Sequence, residues 1–305
     1  MKTPPDWLTP DQPYLLGISG GRDSMVLHHW LTAHHFTNLT CCHLNHGLRG
    51  PESDQDQSFL RDHLGDHLLA QKTDVADLAR REKLSLETAA RQARHSFFES
   101  CAQSTGISGV LLAHHADDQA ETILFNLLRG SAGPKGMMPR HRIGKLTFLR
   151  PLLHTRRSEI DSYLTQNEIA FREDSSNSDP FAARNRLRHE AFPLLAEILG
   201  RDPAPALLRA HQHTRDLDDL AQTLLDEAQI LDPRGRIHLP TFRALSVPLQ
   251  KKALHQFLRQ HRITELSAEL IDEGLTLTDP DSPPAINLPG GLRLRRKEAR
   301  LFISP

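Results

Sequence analysis

The feature that most constrains this chain is a regular alternation across its first two-thirds, with short apolar runs of strand length separated by amphipathic stretches of helix length. Tyr14 to Ser19 (YLLGIS), Leu39 to Leu44 (LTCCHL), His67 to Gln71 and Gly109 to Ala113 (GVLLA) read as strands. Helices are expected from Asp23 or Ser24 to about His34, across Ser53 to Leu64, from about Leu86 to Gln103 and from Asp117 to Arg129. Strands that alternate with helices build βαβ units, whose helices cover both faces of a mostly parallel sheet. The expected class is therefore α/β, with a doubly wound, mostly parallel sheet. Ligands of such sheets lie beyond the C-terminal ends of the strands. The loops after Ser19, Leu44 and Ala113 should share one rim of one cleft.

The helix expected at Asp117 has the clearest pattern. Ala120, Ile123, Leu124, Leu127 and Leu128 fall at i, i+3, i+4, i+7 and i+8, a single stripe that should be buried. Gly130 stands just past the last turn, where positive φ is wanted. Around Phe181 to Leu199 the pattern becomes wholly helical, and Arg201 to Pro205 (RDPAP) reads as a break. Beyond it, helices are expected over Ala206–Ile230, Gln250–Arg259 and Ser267–Leu275. Alternating Leu and Arg in Ala285 to Ile303 suggest a β-hairpin. This shift in pattern argues for a second, smaller α+β domain, dividing residues 1–200 from 201–305.

Composition narrows the partners. A formal net charge of −1 over 305 residues advertises no polyanion globally, so any nucleic-acid surface must be a local patch. The N-terminus MKTPPDWLTP lacks the apolar region of a secretory signal. No apolar run reaches the roughly 18 residues of a membrane span. Cys41 and Cys42 are adjacent and Cys101 is distant, which gives neither a disulfide framework nor a CxxC pair. A cytoplasmic location is expected.

A strand leading into Ser19-Gly20-Gly21-Arg22-Asp23-Ser24 and then a helix is an anion-binding arrangement. Gly20 and Gly21 admit phosphate oxygens close to the backbone N–H groups, and the new helix adds unpaired donors and the positive end of its dipole. Ser19 and Ser24 offer hydroxyls, and Asp23 offers a carboxylate for Mg²⁺. The structural alternative is a Gly-Gly turn with Ser24 or Asp23 as helix N-cap. The string lacks the lysine of GxxxxGK[ST]. It resembles the PP-loop of the ATP-pyrophosphatase superfamily, with its adenine-nucleotide alpha-hydrolase-like fold. The resemblance implies ATP cleavage between the α and β phosphates and AMP transfer to a substrate oxygen.

Further segments sharpen the likeness: His43-Leu44-Asn45-His46-Gly47-Leu48-Arg49, Leu86 to Arg91 (LETAAR) with Arg94, Ala113 to Thr122 (AHHADDQAET), Arg150 to Leu153 (RPLL), Glu173 to Asn177 (EDSSN) and Arg184 to Arg188 (RNRLR). In this order they resemble the tRNA(Ile)-lysidine synthase family, over roughly the first 190 residues, and the closing LPGGLRLRR is similar to that family's second domain. The resemblance implies ligation of free L-lysine to C2 of the wobble cytidine of tRNA(Ile) with anticodon CAU. It implies an adenylated tRNA intermediate, release of AMP and pyrophosphate, and ATP with Mg²⁺ as cofactors. A homodimer is compatible with it.

Each segment also has a reading of its own. Asp118 and Glu121 are i, i+3 neighbours whose carboxylates would look into the cleft and hold Mg²⁺ or the lysine ammonium groups. Helix-dipole compensation, with Asp117 as N-cap, is the alternative. Asp23 and Asp118 are the expected Mg²⁺ ligands. His46, Arg49 and His115 are expected at the nucleotide; zinc is not, since no cysteine or third close ligand accompanies His114 and His115. The resemblance makes Arg91 and Arg94 candidates for contacting ATP or the activated base, with a plain Glu87–Arg91 surface pair as the alternative. His95 stands where the family usually has tyrosine. Arg184 and Arg188, i, i+4 on a helix, suit phosphate contacts. Arg293, Arg295, Arg296, Lys297 and Arg300 form either a solvated face or a patch on the tRNA backbone.

Three rival functions carry different signatures. A tRNA thiolase of the same superfamily commonly has CxxC pairs, and an amidotransferase-coupled synthetase has a glutaminase domain. A non-catalytic adenine-nucleotide-binding module needs neither the Asp118/Glu121 pair nor a basic second domain.

Overall fold

Tyr14–Gly17 (β1) is an uncharged strand with parallel neighbours on both sides, and its side chains alternate between two cores. Leu15 enters a cluster with Phe97, Phe98, Cys101 and Val110 on one face. Leu16 enters a cluster with Val26, Leu27, Leu31, Leu60 and Ile160 on the other. That alternation is the period-2 geometry of a strand, and it makes the sheet two-sided. The structure, a computed structural model, describes residues 1–48, 50–131, 133–173 and 183–305, with only the backbone at 66, 183 and 184. Arg49, residues 174–177 and the side chain of Arg184 lie outside that description.

The chain forms two compact units, Met1–Gln212 and His213–Pro305. In the first, β1 is followed by α1 (Arg22–Ala33), β2 (Leu39–Asn45), α2 (Pro51–Leu64), β3 (Leu68–Lys72), α3 (Val75–Glu82) and α4 (Leu86–Thr105). Then come β4 (Gly109–Leu111), α5 (Ala116–Leu128), β5 (Arg140–Ile143), β6 (Leu146–Leu149) and α6 (Arg157–Gln166). α7 (Ala183–Arg186) passes through a π-helical turn (Leu187–Ala191) into α8 (Phe192–Leu199), and α9 spans Ala204–Ala228. The six strands lie in the order β3-β2-β1-β4-β6-β5, all neighbours parallel except β5 and β6. From β1 the chain moves out to β2 and β3 and then returns to place β4 on the other side of β1. The strand order therefore reverses between β1 and β4, which opens the crevice where such sheets bind ligands.

The doubly wound parallel sheet is thus as expected, and what the sequence reading missed is β6 and the edge strand β5. β5 carries Arg140, His141 and Arg142 and has no buried residue, so it offers no apolar signal. It is paired through a two-residue turn in which Gly144 takes φ +57°, the backbone such hairpins need. A charged edge strand also discourages pairing with another chain.

The expected stripe on α5 needs correcting. Ala120 and Ile123 are buried, Leu124 and Leu127 only half so, and Leu128 is 71% exposed. The buried face is instead shared with polar Gln119, Glu121 and Thr122. Gln119 and Glu121 are held by other segments of the chain: Gln119 clasps Met137 through both its N–H and its C=O, and Glu121 meets Arg188. Gly130 does take positive φ after the C-cap Arg129.

In the second unit, β7 (Ile237–His238), α10 (Leu239–Arg243), α11 (Val247–Gln260), α12 (Ala268–Thr276), β8 (Ala285–Asn287), β9 (Arg293–Lys297) and β10 (Arg300–Ser304) follow. The antiparallel sheet runs β7-β10-β9-β8 and packs Leu294 and Leu301 onto Phe242, Leu254, Phe257 and Leu258. The expected hairpin is β9–β10, turned by Glu298 and Ala299, both at positive φ. The basic run is not one open patch. Arg296 donates to the carbonyls of Leu277, Asp279, Pro280 and Ser282, and Arg300 to Asp232. Arg293 and Lys297 face solvent. No helix among the described residues is long and apolar enough to cross a membrane.

Candidate nucleotide site

Beyond β1, Ile18 still pairs with Cys42, and the chain then folds into a loop tied by two serines. Ser19 N–H donates to Ser24 Oγ (3.1 Å), Gly21 N–H donates to Ser19 Oγ (3.2 Å), and Ser24 Oγ donates to Gly21 O (2.9 Å). Both hydroxyls therefore shape the loop, and Ser24 is buried. Gly20 takes φ +83°, a conformation that a side chain rarely adopts. Gly21, not Ser24 or Asp23, is the N-cap of α1, and no side chain caps that helix. The first-turn N–H groups of α1 are consequently left for an anion. The segment after α6 braces the loop: Arg172 N–H donates to Gly20 O (2.9 Å), and its side chain reaches Asp56 and Gln55.

The loop opens on a cleft of about 700 Å³. Ser19, Gly21, Arg22, Asp23 and Ser24 line it from one side, His46 from the loop after β2, Arg94 from α4, His114 from the loop after β4 and Asp118 from the first turn of α5. Of the other expected residues, Gly20, Arg91, His115, Glu121 and Arg188 stand off its lining. Arg22 is bound to Asp161 at 2.7 Å and sits over the ring of Phe171. Arg91 is exposed on α4, and no ion pair joins it to Glu87 among the described residues. His95 packs against Phe148 and lies 3.6 Å from Glu99.

Behind the cleft wall the start of α5 is organised by His115, which is 1% exposed. It is the N-cap, in place of the expected Asp117. Its Nδ1 accepts from the N–H groups of Asp117 and Asp118, while Asp118 Oδ2 accepts from His115 N–H at 3.0 Å. Asp117 is turned away to α6, accepting from Arg156 Nη2 (2.7 Å) and Arg157 N–H (2.8 Å). Burial pushes the Asp117 carboxyl up, but these donors outweigh it and hold the group below its ordinary value.

The carboxylates of Asp118 and Glu121 converge as their spacing suggested, on a cation the chain itself supplies. Arg188 donates through Nε to Glu121 Oε1 (2.6 Å) and through Nη2 to Glu121 Oε2 (3.0 Å) and Asp118 Oδ1 (2.6 Å). Burial opposes the guanidinium charge, yet the two carboxylates hold Arg188 above its usual range. Arg188 is thus neither a free surface cation nor presented openly to a phosphate.

Asp23 differs from its neighbours. Its Oδ1 is buried with no hydrogen-bond partner. Burial raises its pKa, His115 opposes that, and Asp118 adds to it. An orphaned carboxylate oxygen beside a phosphate loop suits a divalent cation, because Mg²⁺ at phosphates needs only one or two protein carboxylates. Both oxygens of Asp118 already accept hydrogen bonds. No group of three or more His, Cys, Asp or Glu is arranged as a metal site among the described residues.

Sequence reasoning quoted Asn45 and Gln119 only within longer segments, with no role of their own, and passed over Arg157. Asn45 is buried and pins the loop after β2, donating to Ser53 O and Asp54 while accepting from Gly47 N–H. Nothing in its spacing marks it; a buried amide at a strand end is visible only in three dimensions.

Comparison with known proteins agrees with this geometry. Residues 4–195 match the PP-loop domain family, and residues 237–302 match the TilS substrate binding domain. The tRNA(Ile)-lysidine synthase of Chlorobaculum tepidum is 35% identical over 259 residues, 80% of this chain and 77% of that protein. The chain belongs to the tRNA(Ile)-lysidine synthase family. The family member from Thermus thermophilus is 36% identical over 308 residues; the match covers 98% of this chain and 58% of that protein, so the chain spans little more than half of its relative's length. Among solved structures, the U34-tRNA thiolase NcsA from Methanococcus maripaludis with its 4Fe-4S cluster superposes with a TM-score of 0.54 at 15% identity, over 69% of this chain and 74% of that one. That likeness shows a shared fold.

Proposed function

We propose that this chain uses ATP to ligate L-lysine to C2 of the wobble cytidine of tRNA(Ile) with anticodon CAU. The observation that carries the reading is the uncapped start of α1 beside the orphaned Oδ1 of Asp23, in a cleft that also receives Asp118. Membership of the lysidine synthase family supplies the substrate class.

In this account the Ser19–Ser24 loop and the first turn of α1 receive the β and γ phosphates. The C2 oxygen of the cytidine attacks the α-phosphorus, the bond to the β-phosphate bridging oxygen breaks, and pyrophosphate leaves with that electron pair. Asp23 would hold the Mg²⁺ that accompanies ATP, and Asp118 borders the same position; the ion supplies charge neutralisation at the phosphates. The ε-amine of lysine then attacks C2, loses a proton and expels AMP. Asp118, on the cleft wall, offers that amine an acceptor, and Glu121 acts through Arg188. Arg94 and His46 face the space left for nucleotide or base. Arg91 is a candidate for contacting ATP or the activated base, Arg184 for phosphate contacts and Arg49 for the nucleotide. A cytidine reached this way must be unstacked from the anticodon loop.

The second unit is assigned to tRNA binding, with Arg293 and Lys297 as the exposed cations of its C-terminal basic run. A homodimer would bury the apolar stripe Leu217, Leu220 and Leu224 of α9, which is exposed. Three free, buried thiols suit a reducing cytoplasm.

Omitting components one at a time tests the reading. Pyrophosphate release should require tRNA(Ile), and AMP release should require lysine as well. Lysine-independent turnover to AMP would rule out the ligation; no turnover with authentic tRNA would favour a nucleotide-binding module.

A further inference from the structure

His115 is built into the site by two separate interactions. Its Nδ1 accepts two first-turn N–H groups of α5, and a ring nitrogen that accepts carries no proton. The ring hydrogen is therefore on Nε2. That atom is buried, has no hydrogen-bond partner, and lies 3.7 Å from Asp23 Oδ2 and 3.5 Å from Asp118 Oδ2. The same Asp118 oxygen is pinned by the backbone N–H of His115. One residue thus caps the helix that carries Asp118 and aims an N–H between that carboxylate and one on a different helix. Two like charges brought together from α1 and α5 repel, and a positive dipole end between them lowers that cost.

We propose that His115 is a positioning residue: the N–H on Nε2 sets the spacing of Asp23 and Asp118 for the cation that enters with the ATP phosphates, a role separate from the cap through Nδ1. The inference rests on the reading of the Ser19–Ser24 loop as an ATP–Mg²⁺ site. It also removes His115 from direct contact with nucleotide, since the ring stands behind the cleft wall.

The two roles separate by substitution. Asparagine places an acceptor near Nδ1 and is among the best N-caps, but it has no group at the Nε2 position. Glutamine places an N–H near Nε2 and caps poorly. Binding of Mn²⁺ would be measured by electron paramagnetic resonance with α,β-methylene-ATP, which cannot be cleaved at that bond, in the absence of lysine and tRNA. H115N should melt close to wild type yet bind Mn²⁺ about tenfold or more weakly, the usual loss when a group supporting a metal ligand is removed. H115Q should melt earlier and bind Mn²⁺ close to the wild-type affinity. Wild-type affinity in H115N, or equal losses in both variants, overturns the proposal. Should H115N not fold, the glutamine variant decides: wild-type-like affinity supports the positioning role, and weak affinity overturns it. Failure of the functional reading looks different, because wild-type protein would then show no lysine-dependent AMP release, whatever the Mn²⁺ comparison gives.

Discussion

Arg188 grips Glu121 at two points, Nε to Oε1 at 2.6 Å and Nη2 to Oε2 at 3.0 Å, with Glu121 only 9% exposed at its side chain. The contact joins the π-helical turn after α7 to the middle of α5, so it shapes the site wall rather than decorating a surface. Removing the arginine alone strands a buried carboxylate. R188A should lose about 3 kcal/mol of stability in denaturant titrations. R188A/E121A should lose less than the two single variants added together. Additive losses would mean that the fork carries little coupling. R188K should rescue poorly, because an ammonium cannot reproduce the planar two-point contact.

Asp23 and Asp117 should respond to substitution in opposite ways. Asp117 accepts from Arg156 and from the N–H of Arg157, so D117A should destabilise by about 2 kcal/mol. Asp23 has a buried oxygen with no partner, so D23A should melt no earlier than wild type. Its AMP formation should fall by about a hundredfold or more. Thermal melts alongside activity assays check both halves; a strongly destabilised D23A would assign that residue a structural role.

Gly136 is close against Gln119. An added Cβ would lie 2.6 Å from its Nε2 and 2.8 Å from its Oε1, the two atoms that clasp Met137. G136A should therefore cost about 1–3 kcal/mol by overpacking, read from chemical denaturation. Wild-type stability would show that the amide has room to retreat.

The second unit carries a pH signature. Asp232 accepts from the N–H groups of Arg236 and Arg234 and from the side chains of Arg236 and Arg300. These donors, the Arg236 N–H first, hold its carboxyl well below the usual carboxylate range. A group depressed in the folded state stabilises fully above its unfolded value, about 3.9 for aspartate, and loses that contribution as pH falls toward the folded one. The melting temperature of D232N should trail wild type most at neutral pH and converge with it in acid. A constant gap from pH 7 to pH 3 would contradict this origin.

Of the five strands that pair in parallel, β1 to β4 were legible because each is a short apolar run set between helix-length amphipathic segments, whereas β6 was missed because it follows the hairpin strand β5 rather than a helix. Nor were β5 and α3 legible. The outer strand RHRI has no buried residue and shows no hydrophobic period, while the apolar stripe of α3, Val75, Leu78 and Ala79, spans barely one turn of an eight-residue helix. The phosphate loop was legible from Ser19 to Ser24 because its glycines and its place between strand and helix are local properties. The partners of its residues were not, since they come from far along the chain: Arg172 on Gly20, Asp161 on Arg22, Arg188 on Glu121. The i, i+3 spacing of Asp118 and Glu121 correctly placed two carboxylates together. It could not reveal that an internal guanidinium lies between them, or that His115 rather than Asp117 begins the helix.

Transfer of isotopically labelled lysine to tRNA(Ile) bearing either C or U at the wobble position tests the central claim most directly. The account predicts ATP-dependent incorporation into the C-bearing tRNA, one AMP released per lysine joined, and none into the U-bearing tRNA. Incorporation that ignores the wobble base, or AMP formed with no lysine joined, would contradict it.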